Sequence, residues 1–168
     1  MTRYIPVNEV TKMIRADLKA AFPGQKFSVT KDRSTVNIQW EGGPSTKAVD
    51  DLVDRYSGEG FDGMTDMRYS RNEFTDENGE KCQYLTDFIF CRRELSEDEA
   101  ASIKSELAIG IARETGKSIT EVLDDGQFWP CPQEYMREVD RGPWEMSLYQ
   151  MVRTLSEVRA DRKLEAAK

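Results

Sequence analysis

The sequence predicts an α+β protein in which a four-stranded, mostly antiparallel sheet carries two helices on one face and is followed by a helical C-terminal extension. Three observations lead there. Residues 8–22 repeat apolar side chains at spacings of three and four, as an amphipathic helix does. Residues 27–40 alternate apolar and polar, as a half-buried hairpin does. From residue 96 onward the pattern is helical, with Ser96-Glu-Asp-Glu99 and Ser118-Ile-Thr-Glu121 each reading as a capping box.

Taken in order, the first helix has Val10, Met13, Ile14, Leu18 and Ala21 on one stripe, Asn8 as its cap and Pro23-Gly24 as its stop. Asp17 interrupts the stripe and needs a partner or water, so a structural ion pair is expected there. The other face carries Lys12, Arg15 and Lys19, either a solvated surface or a nucleic-acid contact. Phe27 and Val29, then Val36, Ile38 and Trp40, form the inward faces of two strands joined by Lys31-Asp-Arg-Ser34. Pro44 and Ser45 open a second helix through Tyr56, with Ala48, Val49, Leu52, Val53 and Tyr56 inward and Asp50, Asp51 and Asp54 outward. Thr65, Met67 and Tyr69 read as the inward residues of a third strand. Asp76-Glu-Asn-Gly79 is a turn, and residues 83–91 form a fourth strand with Phe88 and Phe90 in the core.

The element order α-β-β-α-β-β makes residues 1–95 one domain and residues 96–168 a helical extension packed on it. In that extension Ala100, Ile103, Leu107 and Ile111 line a long helix that ends at Gly116, and a short helix runs to about Gly126. Trp129-Pro-Cys-Pro132 is irregular, with a further short helix after it. A terminal helix from Pro143 to about Arg162 turns Trp144, Leu148, Met151, Val152, Leu155 and Val158 inward, and the last four residues fray. Trp129 either pins the extension onto the sheet or stands as an exposed anchor of the kind found at interface hot spots.

Composition narrows the function. With 38% hydrophobic and 33% charged residues the chain is polar yet well within the folded range. Its net charge of −7 argues against a whole-protein grip on nucleic acid or an anionic membrane. The charge is uneven: seven basic residues against Glu9, Asp17 and Asp32 give residues 1–33 a charge of +4, which leaves −11 for residues 34–168. The absence of an apolar run of membrane-spanning length and of a signal-peptide core leads us to expect a cytoplasmic protein. Cys82, Cys91 and Cys131 form no CxxC pair and read as free buried thiols.

The sequence contains no histidine, which removes the commonest general base and the usual nitrogen ligand of zinc. No catalytic residue, metal or cofactor is therefore expected, although a carboxylate-only metal site is a formal alternative. Gly58-Glu-Gly-Phe-Asp-Gly63 matches GxGxxG but follows a helix rather than a strand, so it reads as a helix-ending turn with glycines at positive φ. Gly116-Lys117-Ser118 is like the end of a phosphate-binding loop, but the preceding glycine, Gly110, has the wrong spacing and lies within a helix.

Several segments match a known family in order and at the expected separations. They are Ala20-Ala-Phe-Pro-Gly-Gln-Lys-Phe-Ser-Val29, Val36-Asn-Ile-Gln-Trp40, Glu41-Gly-Gly-Pro44, Gly60-Phe-Asp-Gly-Met-Thr-Asp-Met-Arg-Tyr69 and Asp87-Phe-Ile-Phe-Cys-Arg-Arg93. Over residues 1 to about 95 the chain resembles a large polyvalent protein-associated domain. The resemblance implies a phage or conjugative-element setting and no reaction. In that setting the expected role is a non-enzymatic inhibitor of a bacterial defence complex, of anti-CRISPR or anti-restriction type. Its partner would be a host protein or ribonucleoprotein with a basic groove. Asp50, Asp51 and Asp54, or Glu97, Asp98 and Glu99, would meet that groove as phosphates do, with Trp129 as a possible anchor; a merely solubilising acidic surface is the plainer alternative. The competing role is an accessory nucleic-acid-binding module that uses Lys12, Arg15, Lys19, Lys31 and Arg33.

Overall fold

In the computed structural model, which describes residues 2–62, 64–70, 73–124, 127–139 and 145–167, the N-terminal stripe forms helix α1 (Val7–Ala21) after a short strand β1 (Arg3–Ile5). Val10, Ile14 and Leu18 are fully buried, each contributing about 1.5–3 kcal/mol by leaving water. Met13 and Ala21, expected on the same stripe, are exposed. Pro6 rather than Asn8 occupies the cap position, and Asn8 instead accepts a hydrogen bond from Lys31.

The hairpin forms as β2 (Ser28–Asp32) and β3 (Thr35–Glu41), antiparallel, with Val29 opposite Ile38. Helix α2 (Thr46–Val53) follows, capped by Ser45 Oγ, which accepts from the Ala48 amide at 3.1 Å, and tightens into a 3-10 turn at Asp54–Tyr56. Then come β4 (Glu59–Asp62), β5 (Met67–Ser70), β6 (Phe74–Thr75), β7 (Lys81–Tyr84) and β8 (Ile89–Glu94).

These strands do not make the expected four-stranded sheet. Among the described residues the N-terminal unit, Met1–Glu94, holds two three-stranded sheets, ordered β2-β3-β8 and β1-β7-β6, and a β4-β5 ribbon. Two pairings, β3 with β8 and β1 with β7, are parallel. Parallel partners need a long connection, and both pairs have one: residues 42–88 join β3 to β8 and residues 6–80 join β1 to β7. The predicted third strand also differs, since Met67 and Tyr69 are exposed and Thr65 precedes β5.

The predicted strand at 83–91 is split between β7 and β8, and its inward residues are shifted by one. Val36, Ile38 and Trp40 face the core, and their partners in register are Ile89, Cys91 and Arg93. Phe90 therefore points to the other face and is 58% exposed, while Phe88, just before the strand, is half-buried. In Phe88-Ile-Phe-Cys91 both faces are apolar, so alternation cannot choose between them.

Glu41-Gly-Gly-Pro44 closes the sheet end. Gly42 and Gly43 take φ of 59° and 63°, a left-handed pair that other residues resist. A Cβ on Gly43 would stand 2.1 Å from Gln25 Oε1. The turn carbonyl of Gly42 accepts from Arg93 Nε at 3.2 Å, and that of Pro44 from Trp40 Nε1 at 2.9 Å, so two buried donors are satisfied there.

The C-terminal unit, Leu95–Lys168, is helical with one small ribbon. Helix α3 (Glu97–Thr115) is capped by Ser96 and ends at Gly116 with φ of 70°, and α4 (Ile119–Leu123) has the full capping box between Ser118 and Glu121. Of the segment expected to be irregular, Trp129 and Pro130 belong to strand β9 (Phe128–Pro130), paired with β10 (Glu145–Ser147), while Cys131 and Pro132 lie in no helix or strand. Helix α5 (Gln133–Val139) lies between them in the chain. Helix α6 (Leu148–Ala166) starts five residues later than predicted and continues to Ala166, through residues expected to fray. Pro143, Trp144, Gly63, Asp125 and Gly126 lie outside the described residues. Ile103, Leu107, Ile111, Met151 and Leu155 form the centre of this unit's core.

Candidate functional site

The amphipathic pattern of α2 decides where its acids go. Val49 and Val53 are buried, which turns Asp50, Asp51 and, one turn on, Asp54 outward. These three line an open cleft of about 520 Å³ together with Glu59, Ser57, Phe88 and Ile89. One wall is thus carboxylate and the other is the start of β8. Ser57 holds the corner, its Oγ lying 2.8 Å from the Glu59 carbonyl and 2.9 Å from that of Asp87.

The acids in the cleft have different attachments. Asp51 is paired with Lys47 one turn back, both side chains being solvent-exposed, so the pair is worth little. Asp50 bonds the thiol of Cys91; burial first, then this carboxylate, pushes that thiol well above its ordinary value. Burial likewise raises Cys82, with help from Asp76 and Glu80, and Cys131, so all three free thiols are poor nucleophiles.

Glu97, Asp98 and Glu99 belong to the other unit, in the first turn of α3, where acidic groups favour the positive end of the helix dipole. Glu97 and Asp98 are exposed. Glu99 has a structural attachment, accepting from the buried Ser156 Oγ at 3.2 Å. The second acidic set is therefore a pair of open acids beside one built into helix packing.

Lys12, Arg15, Lys19, Lys31 and Arg33 are all exposed. Arg15 reaches the edge strand, donating to the Val29 carbonyl at 2.6 Å, and Lys31 donates to Asn8. Arg33 sits at the hairpin turn with φ of 52°. Trp129 is only 7% exposed and packs in the helical core, whereas its neighbour Phe128 is 65% exposed. An aromatic anchor on β9 would therefore be Phe128 rather than Trp129.

Asp17 has the ion pair its position demanded. Arg55 and the Tyr56 hydroxyl both donate to it. Burial alone would raise the Asp17 carboxyl, but these two donors outweigh it and hold the group below its usual value. Burial and the neighbouring carboxylate push Tyr56 up to about 12.

Among the described residues one set of metal-type ligands converges: Asp76, Glu80 and Cys82, whose ligand atoms lie within 4.8 Å of one another. Asp76 Oδ1 already accepts from the Asn78 and Glu80 amides at 2.9 Å each, which is the task of a turn aspartate. The GxGxxG segment is also structural, although not as expected. Gly58 and Gly60 do not have positive φ; they admit close neighbours, since a Cβ on Gly58 would be 2.4 Å from the Tyr84 carbonyl oxygen and one on Gly60 2.2 Å from the Tyr69 ring. The segment is largely a strand, β4, rather than a helix-ending turn. No helix among the described residues is long and apolar enough to cross a membrane.

Glu59 and Phe88 complete the acidic cleft and were not expected to. Nothing in a linear pattern places a strand residue at 59 beside a helix face at 50–54. The outward turn of Phe90 was hidden by the same two-faced apolar run that misplaced the core of β8.

Comparison with curated proteins gives no match, and neither does comparison with solved structures. The family profile described as large polyvalent protein associated domain 29 does match, over residues 5–96, which is more than half of the chain and includes the β2-β3-β8 sheet and the acidic cleft. This family connection brings with it an association with phages and other mobile elements. The segments that carry the resemblance fall within the match, and the chain belongs to the large polyvalent protein associated domain 29 family.

Proposed function

We propose that this mobile-element protein acts without catalysing a reaction, by fitting its acidic cleft to a basic groove of a bacterial defence protein or ribonucleoprotein in the host cytoplasm. The reading is of an anti-CRISPR or anti-restriction type of inhibitor, with carboxylates taking the positions of phosphates. The observation that carries it is the gathering of Asp50, Asp51, Asp54 and Glu59, from two elements, around one open cleft. Arginine and lysine side chains lining a nucleic-acid groove would find several carboxylate acceptors there. Such a field speeds association and is weakened by salt, with a screening length of about 8 Å at physiological ionic strength.

The test is co-expression with a defined CRISPR effector or restriction enzyme, scoring phage plating, followed by association kinetics with the purified effector across a salt series. The Asp51→Lys, Asp54→Lys double variant should lose protection and associate about tenfold more slowly while keeping its melting temperature. Asp50 is left intact because it bonds the Cys91 thiol. Glu97→Lys with Asp98→Lys tests the second acidic set separately. Protection that persists unchanged in the cleft variant, or binding to the purified effector that EDTA abolishes and a divalent ion restores, would refute the proposal.

A further inference from the structure

The outer face of the β2-β3-β8 sheet is laid out in rows. The core takes Val29, Val36, Ile38 and Trp40, so the alternate residues face away from it. Strand register places Thr30, Asn37 and Phe90 in one row and Ser28, Gln39 and Arg92 in the next. Phe90 stacks on Phe88 with ring centroids 6.2 Å apart and planes inclined by 27°. A large ring on an open sheet face, backed by the half-buried Phe88 just before the strand and set beside hydroxyls and amides, is poor design for solubility alone.

A second observation gives this face a direction. Arg15 bonds the Val29 carbonyl on edge strand β2, which brings the Lys12, Arg15 and Lys19 side of α1 alongside the sheet. With strands about 4.8 Å apart, the path from Phe90 across Asn37 to Thr30 spans about 10 Å. A chain crossing it would meet rings first, hydrogen-bonding side chains next and cations last. At the β8 end lies the acidic cleft, which repels phosphate and favours this polarity.

We propose that this sheet face binds single-stranded RNA, two or three nucleotides at a time. Bases stack on Phe90 and Phe88. The Asn37 and Gln39 amides and the Thr30 hydroxyl, which donate and accept, meet base edges and the 2′-hydroxyl, a group of the same dual character. The α1 cations meet phosphates, while Arg92, on β8 beside the rings, is paired with Glu94 at 3.3 Å. Open bases are required because a duplex buries the faces that stack. The site shares Phe88 with the acidic cleft but uses none of its carboxylates, so charge reversal in the cleft tells the two apart.

The experiment is fluorescence anisotropy of the full chain with a labelled 12-nucleotide single-stranded RNA of mixed sequence, over a salt series. Salt-sensitive binding is expected, several-fold weaker for DNA of the same sequence and weaker still for duplex RNA. Phe90→Ala should lower affinity roughly ten- to hundredfold, and Phe90→Trp should restore it with tryptophan quenching on binding. Lys12→Glu with Lys19→Glu should weaken binding and flatten the salt dependence by about two charges. Asp51→Lys with Asp54→Lys should not weaken it, which separates this site from the cleft. The proposal is overturned by no binding at about 100 μM protein, the weak end of non-specific association. It is equally overturned by a folded Phe90→Ala variant that binds as wild type, or by DNA or duplex binding as tight as that of single-stranded RNA.

Discussion

Gly58 and Gly24 have the same side chain and face different obstacles. Gly24 has φ of 88° and open space around it, so Gly24→Ala meets only the left-handed backbone penalty of about 1–2 kcal/mol. Gly58→Ala would drive a Cβ to 2.4 Å from the Tyr84 carbonyl oxygen and 3.0 Å from that of Thr86, where backbone must move. Chemical denaturation should show a loss of about 1–3 kcal/mol for Gly58→Ala. The same reasoning separates apolar residues that look alike in the sequence. Ile38→Ala should cost about 2–5 kcal/mol, because Ile38 is fully buried in the middle of β3. Phe90→Ala should change stability by no more than about 0.5 kcal/mol, since its ring faces solvent. Equal losses for these two variants in urea melts would contradict the register of β8.

At the level of elements, Arg159 of α6 joins three helices. It is bidentate to Glu106 of α3, at 2.7 and 2.9 Å, and to Glu138 of α5, at 2.8 and 3.0 Å. Arg159→Ala should destabilise the C-terminal unit by about 1–3 kcal/mol in thermal or urea melts. Hydrogen bonding to Arg159 holds both carboxyls below their usual range. A depressed carboxyl contributes stability that is fully present above its unfolded value and is lost as pH falls through the folded value. The unit should therefore weaken as pH drops below about 4.3, the ordinary glutamate value. The Arg159→Ala variant should show a shallower acid slope in melting temperature. Helices of this kind were legible in the sequence, because a 3.6-residue stripe and a capping serine are local signals: Ser45, Ser96 and Ser118 all cap as their neighbours imply. Strand direction and partnership were not legible. Three residues at β1 are too few to show alternation, and the direction in which β3 meets β8 depends on the long connection between them rather than on either strand. The candidate acids of α2 could be read because a helix face is a local property. The cleft they line could not, since its other wall comes from β4 and the residues around Phe88, brought there by tertiary pairing.

On the scale of the whole molecule, each of the two units holds its own buried cluster, the first built around Ile14, Ile38 and Val53 and the second around Ile111, Met151 and Leu155. A segment with a private core is expected to fold alone. Residues 1–94, expressed by themselves, should give a cooperative urea transition and retain the acidic cleft; a non-cooperative, dye-binding product would show that the division is only geometric. The parallel joining of β3 to β8 has a consequence for how such a unit comes into being. Val36 leaves the ribosome more than fifty residues before its partner Ile89 does. Helix α1 and the β2-β3 hairpin must therefore wait with one apolar face uncovered and the β8 side of β3 unpaired. Closing so long a loop also delays the reward until after its entropy has been spent. A chain that stopped short of Ile89 would keep that strand edge open, the kind of surface that chaperones and proteases recognise, so unfinished copies would be discarded.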